Sequence, residues 1–387
     1  MSSRIFAASM FGLALGLSLL APAPAAAYPQ WQFSSGATRC NQCHFSPGGG
    51  GLITGYGRDA AGEDLSTWEG SGAFLHGKVE LPSALAIGGD VRAAFLAKDV
   101  QEPDGATRAV FPMQADLSVR LALHDSVSIH ASGGLRGRTR TSQDIVPDSN
   151  FQPIDVSRFI SREHYVMWRQ GGQGAYVRAG RFYAPFGLRL AEHVVYTRRD
   201  LGFNMLEESY NLSGGYLTDA WEGHLTLFTP DFVREIGSEE GGVAAYAERR
   251  ILNDRGALGL QARYAVGRGL DRWIGGLVGK YYIERLKTLL LAEANLVHLQ
   301  PDLVGGSNQF VGTGGFAVLP VRGLIITLLG ERNQIDLKVR GSVWNAATGI
   351  VSWFPYPHVE LAVMGRVQFP GGGEAAPAVL TQFHYFL

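Results

Sequence analysis

From about Val79 to Leu387 the chain repeats one pattern: apolar and polar residues alternate with a period of two, in short segments broken by turn residues. Side chains of an extended strand point alternately to opposite faces, so each run gives its strand one apolar and one polar face. Between 113 and 123, Met113, Ala115, Leu117, Val119, Leu121 and Leu123 share one face, against Gln114, Asp116, Ser118 and Arg120. Leu258, Leu260, Ala262, Tyr264 and Val266 oppose Gly259, Gln261 and Arg263 in the same way. Val359, Leu361, Val363, Val367 and Phe369 likewise oppose His358, Glu360, Arg366 and Gln368.

A soluble sandwich also alternates, so the number and spacing of the strands have to decide. The pattern predicts strands over 84–98, 108–124, 126–138, 159–170, 174–183, 209–219, 221–230, 242–252, 256–267, 272–283, 287–298, 308–319, 322–332, 341–354, 357–369 and 377–387. That is about sixteen, an even number as bacterial barrels have. Tight turns such as His124–Ser126, Asn253–Gly256 and Pro355–Pro357 alternate with longer connections near 139–158, 184–208, 231–241 and 299–307. Short turns at one end and longer loops at the other are the outer-membrane pattern. The last strand runs to the end of the sequence, with Val379, Thr381, Phe383, Tyr385 and Leu387 on one face. It is similar to the assembly signal of outer-membrane proteins, with Leu387 following the usual terminal Phe.

Composition agrees. Charged residues make up 18% of the protein, below the roughly 25% of soluble domains, and 51 residues are glycine, nearly double the usual share of about 7%. The formal net charge of -1 leaves no basic surface for nucleic acid. No apolar run after the first 27 residues approaches the ~18 of a membrane helix, which excludes a helical membrane protein.

The first 27 residues have their own logic. Arg4 is the only charge, Ile5–Leu20 is apolar, and prolines at 22 and 24 lead into Ala25-Ala26-Ala27. This is the form of a cleaved secretory signal, so the mature protein is expected to begin at Tyr28.

Both cysteines fall in Cys40-Asn41-Gln42-Cys43-His44. In an exported protein, the C-x-x-C-H spacing reads as covalent attachment of one c-type haem, each thiol bonding a vinyl group and His44 ligating the iron. A structural zinc site would need a second ligand pair, and a thioredoxin-like pair would need a helix where Pro47 and Gly48–Gly51 follow. A small disulfide loop would need no histidine. Between Tyr28 and Lys78 the only histidines are His44 and His76, and there is no methionine. Elimination makes His76 the expected distal ligand. The alternatives are a surface histidine at 76 with the iron five-coordinate, or a ligand from elsewhere, such as Met113, Met167, Met205 or Met364. Trp31, Phe33, Phe45, Tyr56 and Trp68 are candidate packing partners, Arg39 and Arg58 candidate partners for propionates, and Gly48–Gly51 would let the backbone lie close to the porphyrin.

The expected organisation is a signal peptide over 1–27, a very small c-type cytochrome domain over 28–78, and a transmembrane antiparallel β-barrel over 79–387: an all-β fold. Asp116, Arg120, Glu293, Asn295, Glu360 and Arg366 would face a wet interior. The 184–208 connection, with Pro185–Arg189 and Thr197–Phe203, is long enough either to fold inward and constrict the pore or to stay outside. No nucleophile elbow, zinc-protease helix or phosphate loop is present.

A C-x-x-C-H module joined to such a barrel resembles the fused porin-cytochromes of bacterial outer membranes, which include the iron-oxidising outer-membrane cytochromes. The resemblance is carried by Cys40–His44 and by the architecture; Phe45-Ser46-Pro47 and the glycines after it depart from the iron oxidases. It implies that Cys40 and Cys43 hold the haem, that His44 ligates iron, and that single electrons cross the outer membrane between a periplasmic c-type cytochrome and an extracellular donor or acceptor such as iron. Two other readings stand beside it: a diffusion porin whose haem module is a plug or sensor, and a haem enzyme such as a peroxidase, which needs an open iron position.

Overall fold

The computed structural model describes residues 29–98, 107–136, 159–204, 207–231, 239–267, 269–303 and 305–387. The segment over 1–27 expected to be a signal peptide and Met205 lie outside the described residues, as does the whole of the 139–158 connection.

Sixteen strands form: β1 Leu85–Lys98, β2 Thr107–His124, β3 Val127–Arg136, β4 Phe159–Arg169, β5 Gly174–Phe182, β6 Ser209–Leu217, β7 Trp221–Thr229, β8 Gly241–Ile251, β9 Gly256–Gly267, β10 Leu270–Ile283, β11 Thr288–Pro301, β12 Ser307–Val321, β13 Leu324–Gln334, β14 Val343–Trp353, β15 Val359–Pro370 and β16 Ala376–Phe386. Each pairs antiparallel with its neighbour, and β1 closes on β16 from Asp90 opposite Phe386 to Lys98 opposite Ala378. Closure leaves no strand edge unpaired, the condition a sheet must meet in a medium without water.

The alternation has the inverse polarity of a soluble protein. Leu260 is 63% exposed while its neighbour Gln261 is 5% exposed, so the apolar phase faces outward and the polar phase inward. Leu117, Leu258, Leu296 and Val363 share the outer surface; Glu293, Asn295, Glu360 and Arg366 are buried in the lumen as the sequence predicts. Exposed aromatics gather near the two strand ends. Trp168, Tyr216, Trp221, Tyr281 and Trp353 lie near one end of their strands, and Phe95, Phe159, Trp273, Trp344 and Phe369 near the opposite end of the barrel. Such paired girdles mark the two interfaces of a membrane barrel. Period-two alternation alone does not mark them, although their positions at strand ends are legible in the sequence.

Two segments fill the lumen. The first, residues 29–78, adds no strand and contains only short helical turns, including α1 Cys40–Cys43 and α2 Gly55–Asp59. It is hooked to the short-turn end: Asn41 donates to the Gly172 carbonyl at 2.7 Å, Arg39 pairs with Asp219 at 3.1 Å, and Trp353 donates to Thr67 Oγ1 at 3.0 Å. Lumen side chains hold it from the wall, with Lys280 Nζ donating to Gln32 Oε1 at 2.9 Å and Arg178 to Ser46 Oγ at 3.0 Å. About fifty residues cannot enclose a core of their own; here the barrel wall supplies it. Trp31, for example, packs edge-on to Phe354 at 4.9 Å.

The second is the β5–β6 connection, which folds inward. Phe186, Leu188, Leu190, Val195, Tyr196 and Leu201 are buried. Wall acceptors satisfy its backbone: Gly187 N–H donates to Gln261 Oε1 at 2.6 Å, Leu188 N–H to Glu293 Oε2 at 2.8 Å, and Tyr196 N–H, at the start of α3 Tyr196–Arg199, to Glu331 Oε2 at 2.7 Å. At Gly187 φ is +68°, and a Cβ would stand 2.8 Å from both Glu293 carboxylate oxygens, so the close approach requires glycine.

Candidate functional site

Between these two segments the lumen encloses a cavity of about 390 Å³, within the roughly 300–1,000 Å³ of small-molecule and cofactor sites. Its floor is built by the C-x-x-C-H motif. Gln42 starts α1 by accepting from the Thr38 and Arg39 N–H groups at 2.8 and 2.9 Å, and His44 N–H closes the turn on the Cys40 carbonyl at 2.9 Å. The backbone then loops through the glycines and returns beside the motif. Phe45 N–H donates to the Leu52 carbonyl at 3.1 Å, and Thr54 N–H to the Cys43 carbonyl at 2.8 Å. This local geometry turns Cys40, Cys43 and His44 onto one cavity.

The glycine loop fits the same purpose. Gly49 has φ of +78°, and a Cβ there would lie 3.3 Å from Cys40 Cβ and 3.5 Å from its Sγ. A side chain would crowd the Cys40 thiol, and L-residues resist that backbone conformation. Both cysteines are free, so the small disulfide loop is not formed. Burial pushes the Cys43 thiol up to about 12, with Cys40 beside it adding to the effect. Among the described residues no three His, Cys, Asp or Glu side chains converge as metal-ion ligands.

The walls combine apolar and cationic groups. Trp31, Leu52, Ile53, Phe186, Phe354 and Phe386 supply the apolar part, and Arg39, Arg92, Arg162, Arg189 and Arg198 the positive charge. This is the donor set a c-type haem needs: two thiols and an imidazole on one side, flat apolar walls, and arginines for two propionates. The residues present fit that group.

Several residues singled out in the sequence lie away from this cavity. His76 does not line the cavity. The backbone passes Leu75 and His76 in left-handed conformation, φ +48° and +58°, and leaves His76 exposed at the rim, its ring 4.8 Å from that of His358. Elimination within 28–78 treats that segment as free-standing, whereas the barrel surrounds it and brings distant residues to the same cavity. Arg58 is drawn to the wall, where it donates to the Ile87 carbonyl. Tyr56 and Trp68 are nearly half exposed, Trp68 packing on Tyr356 and Trp353. Phe45 sits beside His130 and under Arg120, and Phe33 joins Leu188 and Leu190 in a separate cluster. Trp31 and Arg39 line the cavity as expected. Met113, Met167 and Met364 do not. The cavity histidines that sequence reasoning did not single out are His193, on the inward connection, and His384, in β16; the signal for His193 is membership of a loop long enough to reach inside, and for His384 its place on the polar face of the last strand.

Comparison with known proteins fits the barrel. No protein-family model and no curated protein matches this protein. Solved structures do. OprB of Pseudomonas putida superposes with a TM-score of 0.56 at 13% identity, over 79% of this chain and 94% of that one. The anion-selective porin of Comamonas acidovorans gives 0.54 at 11% identity, over 79% and 99%. The outer-membrane channel DcaP of Acinetobacter baumannii gives 0.53 at 11% identity, over 78% and 97%. At these identities the likeness is one of fold: this protein is a closed sixteen-strand barrel of porin type.

Proposed function

We propose that the protein is an outer-membrane barrel carrying one covalent c-type haem in its lumen, and that it passes single electrons between the two faces of the membrane. The observation that carries the reading is the convergence of Cys40, Cys43 and His44 on one cavity between plug and inward connection. When bound, the haem supplies a one-electron iron couple. The protein does the rest. Cys40 and Cys43 would tether the group, and His44 would hold the iron. Trp31, Leu52, Phe186 and Phe354, which line the cavity, would exclude water, and Arg92, Arg162 and Arg198 would face the propionate charge. An apolar band ~25 Å tall insulates the two aqueous sides. A centre inside the lumen shortens that gap for a periplasmic c-type cytochrome at the short-turn mouth and for an extracellular donor or acceptor, such as iron, at the other. The amino-terminal segment would serve as the cleaved export signal.

The test is a haem stain of the denatured polypeptide from detergent-solubilised outer membranes, followed by redox cycling with ferrous and ferric iron. A colourless denatured polypeptide removes the reading; a stained one indifferent to iron removes only the iron partner.

A diffusion channel is the second reading, favoured by the fold likeness to porins, one of them anion-selective, and by the arginines of the lumen. In that case residues 29–78 are a plug. Planar-bilayer recording decides: sustained single-channel conductance of the haem-loaded protein supports the channel, and a silent barrel supports the electron carrier.

A further inference from the structure

We propose that Arg120, Arg169 and Arg178, at the short-turn mouth of the lumen, form a binding site for a small oxyanion of the phosphate class. The inference goes beyond the haem reading and holds with or without that group.

The three guanidiniums come from β2, β4 and β5, and strand register brings them together. Arg120 stands opposite His130, and His130 opposite Tyr165. Met167, two residues before Arg169 on the same face, stands opposite Arg178. All of these lie within five residues of the turns at 125–126 and 170–173. Their side chains form one continuous group with the plug. Arg120 lies 4.7 Å over the Phe45 ring, Phe45 is 6.2 Å from the His130 ring, His130 stacks on Tyr165 at 4.5 Å, and Arg178 lies 5.5 Å from the Tyr165 ring. None of them lines the cavity described above.

Charge in this sector is unbalanced. Elsewhere in the lumen Arg162, Arg181, Arg250, Arg263, Lys280 and Arg366 each pair with a carboxylate. Among the described residues Arg120, Arg169 and Arg178 form no such pair. Arg178 is 1% exposed; it donates to Ser46 Oγ at 3.0 Å and to the Tyr183 carbonyl at 3.4 Å. The Nε atoms of Arg120 and Arg178 are buried without a hydrogen-bond partner. Arg120 and Arg169 repel each other, and all three arginines act on His130. Glu163 acts on Arg178, but from beyond ion-pair distance.

Guanidiniums withdrawn from water without a counter-charge are costly, and the aromatic faces of Phe45 and Tyr165 offset only part of that cost. An anion supplied from solution completes the balance. Arg120 and Arg169 are half-buried, so a soluble ion reaches the group from the mouth. The planar guanidinium forks match the oxygens of phosphate or sulfate, whereas chloride offers no matching pair of acceptors. Phe45 and Ser46 directly follow His44, so an anion held here would also fix the plug beneath the cavity.

The experiment uses the full-length protein purified from outer membranes in phosphate-free detergent buffer, with barrel folding confirmed by heat-modifiable gel migration. Inorganic phosphate, followed by titration calorimetry, should bind at one saturable site, and sulfate should compete where equal chloride does not. Arg120→Gln and Arg169→Gln should each weaken binding by roughly tenfold, the loss of one charge-assisted contact. Arg285→Gln, at an exposed arginine of the β10–β11 turn, should bind as wild type does. Where a glutamine variant fails to fold, Arg120→Lys, which keeps the charge and loses the fork, should still bind more weakly than wild type. Phosphate should also slow amide exchange of residues 44–47 in wild type but not in Arg120→Gln. Absence of saturable binding, or equal competition by chloride, overturns the proposal. Binding that the arginine variants leave unchanged overturns it too, and marks an adventitious ion only.

Discussion

Arg189 Nη1 donates to Cys40 Sγ across 3.3 Å, although 149 residues separate the two in sequence. The same guanidinium donates to the Gly48 carbonyl at 3.2 Å, pairs with Glu222 at 3.2 Å and lies 4.6 Å above the Tyr246 ring. One side chain thus joins the cysteine motif, the inward connection and the barrel wall. Its backbone has φ of +58°, a conformation that costs a non-glycine residue of order 1–3 kcal/mol and persists only where the surroundings impose it.

Arg189→Met keeps the bulk and removes these donors. Glu222 retains Arg250 at 3.0 Å, so the loss should be that of hydrogen bonds to a charged group, about 2 kcal/mol. The inward connection should be cut faster by protease in detergent while the barrel stays folded. An unchanged cleavage rate would show that the connection is held by its wall contacts alone.

Glu331 is a more costly position. It accepts from Tyr196 N–H at 2.7 Å and Thr348 Oγ1 at 3.1 Å, and it pairs with buried Arg366. Glu331→Gln leaves that guanidinium without its counter-charge, which should lower stability by about 3–5 kcal/mol. The check is the urea midpoint of the purified barrel; a shift of only about 0.3 kcal/mol, the size typical of an exposed pair, would mean that water enters this part of the lumen and screens the arginine.

Neither cysteine thiol takes part in the strand ladder, and both sit in the plug. The double variant Cys40→Ala with Cys43→Ala should lose haem stain completely yet keep the heat-modifiable migration of a folded barrel. Loss of folding in the same variant would show that haem is needed for assembly, not only for electron flow.

His358, in the turn before β15, is held well below the usual histidine range, at about 4, by burial and then by neighbouring His76, with Arg58 also near. Its folded value lies below the unfolded one of about 6.5, so between these values the unfolded state binds more protons and stability rises with pH. Contact of the 73–77 segment with this turn should be intact above a pH of about 6.5 and weaken as pH falls toward about 4. Amide exchange of residues 73–77 against pH measures it, and His358→Phe should flatten the profile. A profile unaffected by that substitution would assign the pH response to another group.

The strand pattern is legible because a membrane barrel writes its two solvents into successive residues. Leu260 and Gln261 need no partner to declare their faces, and the predicted strand edges mostly fall within about two or three residues of those formed, the usual margin for boundaries read from pattern. Near 299–307 the connection is shorter than expected because β11 and β12 both extend into it, their ends being too polar for alternation to register. His76 lies away from the cavity that His44 lines, because nearness in sequence is not nearness in space.

The amino-acid sequence alone determined the closed β-architecture, the approximate strand number, the polarity of the wall and the Cys40–His44 motif, because each is written in a local period or a short motif. Tertiary structure decided that residues 29–78 lie inside the lumen, that the β5–β6 connection folds inward rather than outward, and that His193 rather than His76 shares a cavity with His44. These depend on contacts such as Arg189 to Cys40 and Leu188 to Glu293, formed between segments 149 and 105 residues apart. Only closure of the barrel brings those segments within a side chain's reach, and no local pattern encodes it.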